Sequence, residues 1–142
     1  MRTWLPSVVL AASLAPSAAR ADDVSVSNAW IRALPGSLPA AAYFTVRNSG
    51  TRDITLSGAS SAACGMLMLH KSSSANGMAS MADVDSVDIH PGGVTRFEPG
   101  GLHLMCMDPK RLEPGGRVAI TLQFANGKRV TTSFVVRNAR GK

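Results

Sequence analysis

Glutamate occurs twice in this 142-residue chain, tyrosine once, and tryptophan and cysteine twice each. Each scarcity removes a class of function. With two Glu and seven Asp, no paired-carboxylate or Ser-His-Asp constellation stands out, so the chain reads as a binding module and not an enzyme. Aromatic residues make up 5% of the chain, too few to stack nucleic-acid bases, and the basic residues stand singly without forming a stripe. Nucleic acid is set aside as a partner. No uninterrupted apolar run approaches the roughly 20 residues that a membrane-spanning helix needs. The two cysteines, Cys64 and Cys106, do not form a C-x-x-C redox pair.

What is present begins with MRTWLPSVVLAASLAPSAARADD. A basic Arg2, an apolar stretch from Leu5 to Leu14 and small residues ending in Ala19-Arg20-Ala21 give the pattern of a secretory signal peptide over residues 1–21. A short membrane anchor is the competing reading, against which Pro6, Pro16 and the shortness of the apolar stretch all weigh. Cleavage after Ala21 leaves a single domain, residues 22–142, with no stable membrane insertion. It carries 13 basic residues against 9 acidic ones once Arg2 and Arg20 are gone. A domain of that size buries roughly two thirds of its unfolded surface and needs no extra staples. In an exported chain, Cys64 and Cys106 can persist as a disulfide, which is preferred to a free thiolate ligand.

From Val24 onward, short alternating or β-branched runs are separated by Gly, Pro, Asn and Ser clusters, with no long helical periodicity. That spacing predicts an all-β sandwich. The clearest pair is RVAITLQF, alternating Val118, Ile120, Leu122 and Phe124, then Asn126-Gly127, then Val130, Thr132, Phe134 and Val136. Further strands are expected at 24–32, 41–48, 54–57, 66–70, 81–89, 94–98 and 102–107. The small polar stretch KSSSANGMAS, Lys71 to Ser80, reads as a flexible loop, and the tail after Arg137 as frayed.

Outside the leader, all six methionines lie between Met66 and Met107, in the same region as all three histidines and both cysteines. Thioether sulfur is soft and uncharged and suits Cu(I), while imidazole also binds copper. In GMLMLHK, alternation places Leu67 and Leu69 on one face and Met66, Met68 and His70 on the other. In GLHLMCM it places Leu102, Leu104 and Cys106 inward, with His103, Met105 and Met107 opposite. His103 and Met105 thus form a two-residue clamp, which His70 can face if the two strands are neighbours. A fourth donor comes from Met81 or Met78. Met66, Met68 and Met107 read as packing or supporting residues, and His90, before Pro91-Gly92-Gly93, as a turn residue. Cys106 has inward parity whereas Cys64 shares that of His70, so their bridge needs a bend near Ala63.

His70, ten intervening residues, Met81, twenty-one more, then His103-Leu104-Met105: this spacing resembles the motif of the periplasmic PCu(A)C copper chaperones. The resemblance runs through VSVSNAWIRALPGSLPAAAYFTVRN, PGGVTRFEPGGLHLM and the closing hairpin, nearly the whole mature chain. It implies a cupredoxin-like Greek-key β-sandwich in the periplasm. It also implies one Cu(I) held by His70, Met81, His103 and Met105, delivered to a copper-accepting protein such as a cytochrome c oxidase subunit or its assembly factor. Met78 misses the motif position. Where relatives often carry Met or acidic residues after the first His, this chain has Lys71-Ser72-Ser73-Ser74, and its C-terminus lacks the His and Met of some relatives. One site and a monomer are therefore expected. A periplasmic copper-buffering or resistance protein without a dedicated acceptor would use the same ligands. A blue-copper carrier would need Cys106 beside His103, against the parity of that strand.

Overall fold

The computed structural model describes residues 23–142, so the expected leader at 1–21 lies outside the described residues. The described chain contains ten strands: β1 (Val24–Arg32), β2 (Ala40–Asn48), β3 (Ile54–Ser60), β4 (Cys64–Ala75), β5 (Met78–Asp83), β6 (Val87–Ile89), β7 (Val94–Phe97), β8 (Leu102–Pro109), β9 (Arg117–Phe124) and β10 (Arg129–Arg137). Hydrogen bonding runs in the order β5-β4-β8-β2-β1-β10-β9-β3-β6, and a further β3–β4 pairing, Ala59 opposite Leu67, closes seven strands into a barrel. β1 and β10 are parallel, and the other pairs are antiparallel. Among the described residues, no helix is long and apolar enough to cross a membrane.

Period-two patterning fills the barrel as the sequence predicts. Ile120, Leu122 and Phe124 of β9 and Phe134 and Val136 of β10 are buried, and the pair runs in register from Arg129 opposite Gln123 to Val135 opposite Arg117. Phe44 anchors the centre, stacked on Phe97 at 4.3 Å and meeting Phe134 edge-on at 5.8 Å. Asn48, at the end of β2, is a fully buried polar side chain. Asn48 donates from Nδ2 to the carbonyls of Arg52 and Ile89, and its Oδ1 accepts the Gly50 N–H, so its burial leaves no unpaired group.

Three expectations are corrected. The stretch Lys71 to Ser80 is a hairpin, not a flexible loop: β4 continues to Ala75, turns at Asn76-Gly77 and returns as β5, with Ser72 opposite Met81. Both turn residues have positive φ, 52° and 75°, the combination for which Asn-Gly is favoured in a two-residue turn. The expected strand over 81–89 is two strands that separate at Val84-Asp85-Ser86, because β5 pairs with β4 while β6 pairs with β3. The tail is tied back on itself: Asn138 Oδ1 accepts the N–H groups of Arg140 and Lys142, and an added Cβ on Gly141 would stand 3.5 Å from the Trp30 ring.

Cys64 and Cys106 form the disulfide, with Cα atoms 5.4 Å apart. The parity conflict is resolved at the strand ends. Cys64 follows directly on a turn whose N–H to O bond joins it to Ser61, and Asp108 opposite Gly65 has φ of +47°, which breaks the alternation. Gly65 allows the close approach there, since an added Cβ would stand 3.0 Å from Asp108 Cβ, tighter than ordinary contact. The bond clamps the start of β4 to the end of β8 across 42 residues of chain. Replacing both cysteines by alanine is expected to lower unfolding stability by about 2–5 kcal/mol in urea melts, because closing a loop of this length removes much unfolded-state entropy. An unchanged midpoint would show that the bridge contributes nothing.

His90 sits in the turn expected of it, its carbonyl accepting the Gly93 N–H, and its Nδ1 lies 2.9 Å from Asp53 Oδ1. The hydrogen bond to Asp53, followed by its charge, raises the His90 pKa above the ordinary 6.5. A raised value means the pair contributes stability below pH 6.5 that fades as pH rises through the raised pKa. Proton NMR titration should find His90 above its ordinary value, and Asp53→Asn should bring it down. No change in Asp53→Asn would remove Asp53 as the cause.

Candidate metal centre

The site is built on the pairing of β4 with β8. Leu67 stands opposite Cys106, Met68 opposite Met105, Leu69 opposite Leu104 and His70 opposite His103. Residues opposite one another share a face, so this register sorts the side chains as the sequence predicts. Leu67, Leu69, Leu104 and Cys106 are buried inside the barrel, and Met66, Met68, His70, His103, Met105 and Met107 lie on the outer face. The hairpin carries Met81 opposite Ser72 and Asp83 opposite His70, on that same outer face, whereas Met78 stands opposite Ala75 on the other. The register therefore brings His70, His103, Met105 and Met81 to one face and leaves Met78 off it.

The two imidazoles differ in how firmly they are held. His103 is 2% exposed although it faces outward, because neighbours cover it: its ring lies 5.7 Å from that of His70 and 6.3 Å from that of Tyr43. Tyr43 is in turn packed at 4.7 Å against Trp30, with the Arg32 guanidinium over both rings. The segment Glu98-Pro99-Gly100-Gly101 is an excursion between β7 and β8, with Gly100 at φ +86° and the Gly101 N–H bonded to Glu98 O. It aims the Gly101 carbonyl at two donors, the Ser72 N–H at 3.0 Å and His103 Nδ1 at 3.1 Å.

A carbonyl can only accept, so the His103 proton sits on Nδ1 and Nε2 presents a lone pair. That Nε2 is buried without a hydrogen-bond partner. Burial holds the His103 pKa below 6.5, outweighing the opposing effect of the Gly101 bond, and the neighbouring His70 adds to the lowering. The ring stays neutral at neutral pH with one nitrogen unprotonated and unpaired, the state a metal ligand needs.

His70 is looser. Its Nε2 is 2.9 Å from Asp83 Oδ1 on the exposed edge strand, but neither ring nitrogen has an aligned hydrogen-bond partner. Asp83 escaped the sequence reading, although its two-residue offset from Met81 gives it the same parity; Gly101 and Tyr43 escaped it because their roles depend on contacts across the sheet. Met105 is half-buried and Met81 is 60% exposed. Among the described residues, no three His, Cys, Asp or Glu side chains gather as a metal site, so a four-donor centre here draws on thioethers. Neither cysteine can serve as a thiolate while both are in the disulfide.

The comparisons with known proteins agree with this architecture. Residues 24–136 match the family described as "Putative lipoprotein LpqE-like". The relative "Putative lipoprotein Lxx21020" of Leifsonia xyli subsp. xyli is 36% identical over 137 residues, covering 95% of this chain and 82% of the relative. Among solved structures, the copper-bound PCuAC domain from PmoF2 superposes with a TM-score of 0.69 at 25% identity, over 84% of this chain and 97% of that domain. The Cu(I) form of DR1885 from Deinococcus radiodurans gives 0.67 at 30% identity, over 84% of this chain and 81% of its own. Its apo form gives 0.64 at 32% identity over 97% of both chains. The chain belongs to the LpqE-like family and is built on the cupredoxin-like fold of the PCuAC domains.

Proposed function

We propose that the protein is an exported copper chaperone that holds one Cu(I) through His70, Met81, His103 and Met105 and passes it to an acceptor serving the Cu(A) centre of cytochrome c oxidase. The observation that carries this reading is His103, whose Nε2 is buried, unprotonated and unpaired beside a second imidazole and on the same strand face as the thioethers. Two neutral imidazoles and two thioethers form a soft, uncharged donor set, which favours Cu(I) over zinc, calcium or magnesium. The PmoF2 domain and DR1885 have been solved with copper bound, which supports carrying copper to this chain.

The residues divide the work of holding and releasing. His103 is oriented by its hydrogen bond to the Gly101 carbonyl. Asp83 stands where its carboxylate can accept a hydrogen bond from His70 Nε2–H and so leave Nδ1 for the metal. Met81 sits on the exposed edge hairpin and is the donor an acceptor can displace first. Exchanging donors one at a time keeps copper bound throughout the transfer. Export rests on the leader at 1–21 and on the lipoprotein descriptions of the relatives. Both cysteines of this chain are joined to each other, so neither thiol is free to carry a lipid.

An anaerobic Cu(I) titration against a competing chelator, with zinc as control, tests the function. One tight equivalent of Cu(I) and weak zinc binding are expected, with Met81→Leu and Met105→Leu each lowering affinity while the β circular dichroism is kept. Asp83→Asn is expected to lower it by about 10–100-fold, the usual effect of losing a carboxylate that orients a ligating histidine. Unchanged affinity in Met81→Leu would reject Met81 as a ligand, and absence of saturable Cu(I) binding would overturn the function.

A further inference from the structure

The outer face of β4 and β8 carries more thioether than a single four-donor centre uses. Below the His70 and His103 pair, Met68 stands opposite Met105, and Met66 opposite Met107. Of the two roles expected for Met66, packing or support, packing is not met: it is 58% exposed, while Leu67 beside it is buried. Met68 and Met107 are half-buried on the same face. An apolar side chain left mostly in water contributes little to burial, so packing does not account for Met66.

We propose that Met66, Met68 and Met107 form a second, thioether-only site for a soft monovalent cation, Cu(I) or Ag(I). It rests on the Cu(I) reading of the histidine-centred site and lies next to it on the same two strands. Directly opposed residues have Cβ atoms about 5 Å apart and diagonal ones about 7–8 Å. Alternate residues on one strand are about 7 Å apart. Unbranched methionine side chains, with three rotatable bonds each, can close those gaps and converge their sulfurs on one ion. Three neutral sulfurs and no imidazole make the site softer and weaker than its neighbour, with little affinity for zinc.

The placement gives the second site a use. Met105, assigned to the first centre, stands opposite Met68, assigned to the second, so the two donor sets touch at one cross-strand pair. A Cu(I) ion can pass between them by exchanging one thioether at a time along the face, with no change in oxidation state and no proton released. The exposed Met66 end is where copper enters or leaves the track, away from the covered His103.

The test is an anaerobic titration of the exported chain, labelled with carbon-13 at the methionine methyls, with Cu(I) and separately with Ag(I). The first equivalent should shift the Met81 and Met105 methyls, and a weaker second equivalent those of Met66, Met68 and Met107. Met66→Leu/Met107→Leu, a volume-conserving pair, should keep the first equivalent and lose the second. Still methyls at Met66 and Met107 under excess metal, or a second equivalent surviving in the double variant, would overturn the proposal while leaving the first site standing. A first equivalent that shifts Met66 and Met107 but not Met81 would overturn both the ligand set proposed above and the ladder's place as a second site.

Discussion

The register between β4 and β8 is the constraint on which the rest of the molecule depends. Slipping one strand by a single residue would turn Leu67 and Leu69 into water and His70 into the barrel, because side chains alternate with period two. The register is held from both sides of the sheet. Inside, Leu67, Leu69 and Leu104 are buried among the core residues, and the Cys64–Cys106 bond fixes the far end covalently. Outside, the reward for the same alignment is a face on which two histidines stand opposite one another and methionines fill the adjoining pairs. Core packing and metal chemistry are thus two faces of one pairing, and a change of register would disturb both.

On that face, rigidity and exposure are graded. His103 is buried, oriented by a backbone carbonyl and walled by Tyr43, whereas His70 packs on the His103 ring and has an exposed carboxylate as its polar neighbour, and Met81 stands on an edge strand largely in water. A site that only stored metal would gain from enclosing all its donors. A site that must give the ion away needs some donors that hold their geometry and others that an incoming ligand can replace. On the ligand set proposed above, the gradient from buried His103 to exposed Met81 would supply both on one face of the sheet.

Much of this was legible in the residues themselves. Strict alternation in GMLMLHK and GLHLMCM assigned faces correctly, since burial of Leu on one side of a strand leaves no choice for its neighbours. The Asn126-Gly127 hairpin was read for the same reason. The Asn76-Gly77 hairpin was missed although it carries a strong turn signal, because the serines around it lack the apolar alternation that usually marks a strand; β5 is exposed throughout and is held by backbone pairing to β4. The roles of Gly101 and Tyr43 could not be read from sequence, since they follow from a bend between β7 and β8 and from a packing contact across to β2. The disulfide was foreseen, but the break at Gly65 and Asp108 that permits it depends on a positive φ at an ordinary residue, which no sequence pattern announces.

On the reading proposed above, two imidazoles and two thioethers on this face hold one Cu(I). X-ray absorption at the copper edge of the protein loaded anaerobically with one equivalent tests it most directly. A Cu(I) edge with two nitrogen and two sulfur neighbours is expected, with one sulfur lost in Met105→Leu. A shell of oxygen and nitrogen alone, or an all-sulfur shell that does not change when Met105 is replaced, would contradict it.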